Sequence, residues 1–263
     1  GALLGFAISW VFQQNPTIWK FLFIPATLLS LSSLFLQRRI DLPQMVDDAP
    51  KKEKKVNGFV QPWIDSYKLL KRRPDFARFQ IGFMFGGSGI MMMSTPLVVF
   101  CSDILRTSNS QYTTARTILM GVGVTLSTFL WKRLLSRVSM NRMTTDVLYV
   151  FAAYAGAILM AQFNSYLLYA AFLIYGIAQS GSQLLWNLSG PRFAEGEEDS
   201  SQYTVVNVLT VGFRGIFAPF VGGALCTAIG PVNAIWCSVA LCLIGAVVMT
   251  RGERRAARRA EAA

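Results

Sequence analysis

The chain has 263 residues, of which 53% are hydrophobic and 15% charged, with 19 Phe and no His. A soluble domain of this length carries about a quarter charged residues, so an ordinary water-exposed globule is excluded, as is any chemistry that needs an imidazole. The formal net charge is +11, and the charges gather in short basic segments between long runs free of Lys, Arg, Asp and Glu, the pattern of a polytopic membrane protein.

A helix crosses a bilayer with roughly 17–25 apolar residues, and eight candidate segments follow in chain order. Residues 1–12 (GALLGFAISWVF) form a short apolar run with no charged leader ahead of it. No signal peptide is read there, and the chain is expected to be a piece of a longer protein. The second span, 18–36, ends at Arg38 and Arg39. The charged stretch 37–78 follows. Its first part, DLPQMVDDAPKKEKKVNG, is polar and expected to be mobile. Its second part, PWIDSYKLLKRRPDF, sets Trp63, Tyr67 and Leu70 at helical spacing, with Lys68, Lys71 and Arg72 elsewhere. That pattern reads as a short helix on the cytoplasmic membrane surface, with a plain linker as the alternative. Further spans are read at 79–102, 112–131, 145–162, 166–188, 203–226 and 231–250, before a basic tail, RGERRAARRAEAA. Helices are required, because the strands of a membrane barrel alternate in polarity over about 10 residues and these runs do not. Cys101, Cys226, Cys237 and Cys242 lie in or beside apolar runs without a CxxC pair and read as small apolar packers.

Lys and Arg fix the expected orientation. They crowd into 37–78, 132–144, 189–202 and the tail, whereas Lys20, Arg106 and Arg116 fall on the other side. By the positive-inside rule the crowded side is cytoplasmic, with the C-terminus inside. The excess positive charge then has anionic lipid headgroups at the cytoplasmic face as its partner and needs no nucleic acid.

Two stretches carry a family resemblance. After the fourth span comes WKRLLSRVSMNR (131–142), and WNLSGPRFAEGEEDSSQYTVVNVLTVGFRGIFAPFVGG fills 186–223. Together with two spans, a long basic loop and six further spans, they resemble the major facilitator superfamily. The family carries a loop similar to G-x-L-x-D-R-x-G-R-R after the second helix of each six-helix bundle. Placing Arg137 on its D-R pair puts Ser136 where Asp would stand and Lys132 and Ser139 on the glycine places, so Arg137 and the general basic character are what the match retains, and Arg142 is a further candidate of this basic loop. The 186–223 stretch looks like the tenth-to-eleventh helix junction of bacterial facilitators. The resemblance implies an all-α, polytopic fold. Residues 1–36 would be two helices of an incomplete N-terminal bundle whose other helices are missing from this chain, and 37–78 a cytoplasmic linker with a surface amphipathic helix. Residues 79–250 would be a six-helix C-terminal bundle and 251–263 a basic cytoplasmic tail. It also implies a multi-pass protein of a bacterial cytoplasmic (inner) membrane, with its solute bound near the midplane between repeats. Glu195, Glu197, Glu198 and Asp199 precede the seventh span. They suit its positive end, with Ser200 or Ser201 as cap, or pair with Arg137 or Arg142 in the way the family's charge pairs hold an outward-open state.

Few polar groups lie deep in the spans. Asn207, Thr210 and Arg214 recur at i, i+3 and i+7 and form one stripe of the seventh span. Gly212, Gly215 and Gly222 form a neighbouring stripe suited to close helix contact, and Pro219 is placed to kink the helix. Arg214 stands about 18 Å from either end of its span at 1.5 Å per residue. A charge there costs at least about 2.5–3.5 kcal/mol on insertion scales, so it is expected to meet a substrate anion, an acid on missing helices or cavity water, or else to bond to carbonyls. Gln179, Gln183 and Asn187 form another stripe, for a cavity wall or for interhelical hydrogen bonds. Gly86, Gly87 and Gly89, followed by Pro96, lack the Lys of a phosphate loop and read as a flexible gate or hinge. The intervening methionines read as packing. An intramembrane enzyme would want a His, a carboxylate at depth or a metal-ligand set, and none is seen, so no cofactor and no metal is expected. The expected function is secondary active transport of a small solute by alternating access, with a slight tilt to anions. The alternative is a non-transporting or truncated facilitator-like membrane protein.

Overall fold

The structure, a computed structural model, describes residues 19–37, 60–194 and 200–261. The first expected span, most of the polar linker, and Glu197 and Asp199 lie outside them. Among the described residues every regular element is helical. α1 (Trp19–Gln37) matches the second expected span and belongs to a unit of its own. The second unit holds α2 (Gln61–Arg72), α3 (Pro74–Met92), α4 (Ser94–Val99), α5 (Asn109–Thr114), α6 (Met120–Leu135), α7 (Met140–Met160), α8 (Tyr166–Phe193) and α9 (Ser200–Glu261).

Local chemistry sets the boundaries. Pro62 and Pro74 sit in the first turns of α2 and α3, where a missing N–H costs nothing. Arg73, the residue before Pro74, is extended and ends α2. Pro96 cannot donate to the carbonyl of Met92, and α3 breaks at Met93 before continuing through α4 and a π-helical turn at Phe100–Ile104. Ser108 and Gln111 form a capping box ahead of α5, which passes through a second π-helical turn, Ala115–Leu119, into α6. Ser139 caps α7 by accepting from the Arg142 amide. α9 turns a corner at Gly230, whose φ of 82° is open to glycine at no steric cost. It therefore consists of a first limb (200–229) and a second limb (231–261), which correspond to the seventh and eighth expected spans.

Four helical stretches among the described residues are long and apolar enough to cross a membrane: Pro74–Ile104, Asn109–Leu135, Met140–Met160 and Ser200–Glu253, the last containing both limbs of α9. α8 has the length, at 28 residues, and carries Gln179, Gln183 and Asn187 along its span; it is not among these four.

Small residues set how closely the helices approach. A methyl group added to Gly123 would overlap the Leu173 carbonyl, and one on Gly176 would overlap that of Met120, so α6 and α8 meet backbone to backbone. The Trp131 indole N–H donates to the Ile177 carbonyl at 2.7 Å along the same seam. α3 meets the second limb of α9 through Gly82, Gly89 and Gly245: a methyl on Gly89 would lie 2.9 Å from the Ser238 carbonyl. Gly86 abuts the Leu148 side chain of α7. The glycines read from sequence as a hinge therefore sit inside a continuous helix, as contact points. Pro96 is spent at the Met93 break, and Gly222 packs against the Met92 carbonyl that Pro96 leaves without a helical partner. Gly212 and Gly215 face open space, so of the expected glycine contact face Gly222 alone is used within the described residues. Pro219 lies within the first limb of α9 without ending it.

At one end of the bundle, aromatic rings from three helices fill the interior. Phe76 lies 4.8 Å from Tyr203 and 5.1 Å from Phe193, and Phe79 stacks on Phe83 at 5.6 Å. Arg73 donates to the Tyr203 hydroxyl at 3.0 Å and pairs with Asp75. α2 lies along the first limb of α9, with Trp63 against Phe213 at 6.4 Å and Arg73 at Tyr203, so the two run antiparallel. It buries Ser66 and Leu69 and leaves Trp63, Ile64 and Tyr67 exposed.

Candidate functional site

α3, α7, α8 and the first limb of α9 enclose a cavity of about 410 Å³, within the 300–1,000 Å³ typical of small-molecule sites. Its wall is largely apolar and aromatic, with Phe83, Val147, Phe151 and Trp186 among the lining residues. Arg214, Gln179, Gln183, Thr144, Tyr175 and Ser182 bring polar groups to it, and among the described residues no Asp or Glu lines it.

Arg214 is 8% exposed. Its Nη1 donates to the Phe83 carbonyl at 2.7 Å, and its guanidinium carbon sits 4.6 Å from the Phe83 ring centroid. A cation over a ring face is stabilised by about 2 kcal/mol or more when desolvated. Gly87 makes the placement possible, since a methyl there would overlap Nη1 and the guanidinium carbon. The Nε of Arg214 is buried with no hydrogen-bond partner. The carbonyl bond anticipated from sequence is therefore present, but it uses one of the five N–H donors of a guanidinium and supplies no negative charge.

Asn207 and Thr210 lie on the same stripe but do not line the cavity. Asn207 is 2% exposed; it accepts from the Gln80 amide and donates to the Ser189 hydroxyl at 2.7 Å. Thr210 donates to the Val206 carbonyl on its own helix at 2.8 Å, with the Gln80 side-chain oxygen 3.3 Å from its hydroxyl. Gln80, Asn207 and Ser189 form a clasp that ties α3, α8 and α9 together, each buried polar group meeting another. Gln80, Phe83 and Ser189 were not singled out in the sequence, although Gln80, Phe83 and Gly87 repeat the i, i+3, i+7 spacing of Asn207, Thr210 and Arg214. Two matched stripes on two helices were the available signal.

Gln179 and Gln183 line the cavity, whereas Asn187 donates to the Gln183 carbonyl one turn back and does not. Of the gate candidates, Gly87 lines the cavity and Gly86, Gly89, Pro96 and Pro219 do not. In the basic loop, Lys132 and Arg137 are exposed, and Arg142 pairs with Asp146 at 3.4 Å on its own helix. Ser139 also donates to the Glu253 carboxylate, which joins this loop to the end of the second limb of α9. Asp146 and Glu253 were likewise not singled out. No group of metal-binding side chains is found among the described residues.

The model of one protein family, the Major Facilitator Superfamily, matches residues 1–213. No curated protein and no solved structure matches the chain.

Proposed function

The chain belongs to the Major Facilitator Superfamily, a family of transporters, and on that premise we propose that it is a secondary active transporter moving a small solute by alternating access. The observation that carries this reading is the cavity between α3, α7, α8 and α9, with the Arg214 guanidinium in its wall. A buried cation in a membrane-spanning segment is costly and marks a functional site, and a site between packed helices near mid-span is where such transporters hold their solute. The basic segments support an orientation with the C-terminus in the cytoplasm of a bacterial inner membrane, facing anionic headgroups. The helix over 19–37 is read as part of a first bundle, and 79–250 as the second.

The test is flux. Purified intact protein in proteoliposomes is expected to accumulate or release a solute from a mixed panel of anions, cations and neutral compounds. Arg214→Ala is expected to reduce that flux at least about tenfold while the protein stays folded, since about 1.4 kcal/mol of lost binding is one decade. A folded protein that moves nothing in the panel overturns the reading.

A further inference from the structure

Arg214 is held in a way that specifies what it can bind. Nη1 is committed to the Phe83 carbonyl, Gly87 lies beneath the guanidinium and the Phe83 ring faces it. The side chain is thereby oriented, while Nε is left buried and unbonded. A guanidinium presents its donors as two-pronged edges that match the two oxygens of a carboxylate. Nε is covered by the packing and one N–H of Nη1 is engaged by the backbone, so the donors left for a ligand are on the terminal nitrogens, Nη2 and the second N–H of Nη1.

The rest of the wall narrows the ligand further. Among the described residues it holds no carboxylate to receive an amine, so a cationic solute would meet Arg214 with no counter-charge from this wall. Phe83, Val147, Leu148 and Phe151 make most of the wall apolar, and although Thr144, Tyr175 and Ser182 bring hydroxyls, the described residues supply no second cation for the second negative charge of phosphate or sulfate. Gln179 and Gln183, on the α8 wall, can hydrogen-bond a polar substituent away from the charge.

We propose that the solute is an organic monocarboxylate with an apolar body, its carboxylate gripped by the terminal nitrogens of the Arg214 guanidinium and its body lying against the aromatic wall. The proposal rests on the transporter reading above and adds its substrate class. A carboxylate neutralises Arg214, the one charged side chain lining the cavity among the described residues, so the cost of that cation at depth falls when solute binds.

The experiment uses intact detergent-purified protein and four probes: benzoate, cyclohexanecarboxylate, benzamide and inorganic phosphate. Benzoate and cyclohexanecarboxylate are expected to raise the unfolding temperature in a saturable way. Benzamide, with the same ring and no charge, is expected to bind at least about tenfold more weakly, the loss of one charge-assisted bidentate contact, and phosphate to give no shift. Arg214→Lys keeps the charge without the fork and is expected to weaken benzoate and leave benzamide unchanged. Arg214→Gln is expected to erase the difference between the two. The wild-type comparison of benzoate with benzamide needs no variant to fold. Equal protection by benzamide, protection by phosphate as strong as by benzoate, or benzoate binding that survives Arg214→Gln overturns the assignment. Flux separates this from the broader reading. A protein that transports amines or neutral solutes without preferring carboxylates loses the substrate class and keeps the transport function. One that binds benzoate through Arg214 yet moves no solute keeps the carboxylate site and loses the transport function.

Discussion

Gly87 and Arg214 occupy each other's space, and this makes a one-methyl change informative. Gly87→Ala would push a methyl into the guanidinium, the far end of a flexible side chain that can swing away. In a helix interior Ala is favoured over Gly by about 0.8–1.0 kcal/mol. The variant is therefore expected to unfold at the same or a higher temperature while losing Arg214-dependent binding, measured by thermal unfolding beside ligand titration. Gly176→Ala is the opposite case: its methyl would meet the Met120 backbone, which cannot swing. Overpacking of this kind costs about 1–3 kcal/mol, and a lower unfolding temperature is expected. Arg214 itself was legible in the sequence, because a lone charge in an apolar run is conspicuous. Gly87 was legible only as a glycine, since nothing in GGSG tells a hinge from a cradle until the side chain that fills the space is known.

At the scale of the element, the first limb of α9 meets α3 along two stripes of matched spacing, and the sequence displayed the polar one, on α9, clearly. Asn207, Thr210 and Arg214 stand out at helical spacing, but whether such a stripe faces a cavity or another helix depends on a partner that lies more than a hundred residues away in the chain. Gln80 sits at the edge of its expected span, where a polar residue draws no notice. The stripe also divides by function: Asn207 ties helices together, and Arg214 alone of the three reaches the cavity. A double-mutant cycle of Gln80→Ala with Asn207→Ala is expected to give a coupling of about 0.6 kcal/mol, rising to about 1.7 at most, the range for hydrogen bonds between membrane helices. Solute binding is expected to change less in these variants than in Arg214→Gln. A coupling indistinguishable from zero in thermal or denaturant unfolding would mean that the clasp contributes no stability. α2 lies along this same limb, where its amphipathic pattern alone suggested a membrane surface; an amphipathic face specifies that something apolar covers it and leaves open which surface does so.

On the scale of the whole molecule, run length and charge placement carried most of the fold into the sequence reading, since backbone hydrogen bonding in lipid leaves helices as the form for long apolar runs. The close approaches of α6 to α8 and of α3 to the second limb of α9 were hidden, because they depend on which glycines come face to face. The proposed orientation has a direct check: a reporter protein fused after residue 263 is expected to be active in the cytoplasm and silent outside it, and the reverse result would invert the arrangement. Gly230 carries a mechanical consequence. One residue replaces a loop there, so the two limbs of α9 are joined with no slack, and consecutive Cα atoms stay about 3.8 Å apart whatever the limbs do. The pair can move only as calipers move, pivoting at the corner and spreading at the tips. Spin labels on the two limbs close to residue 230 are expected to keep a fixed separation through a transport cycle, while labels at the far ends report any opening, amplified by the length of the arms.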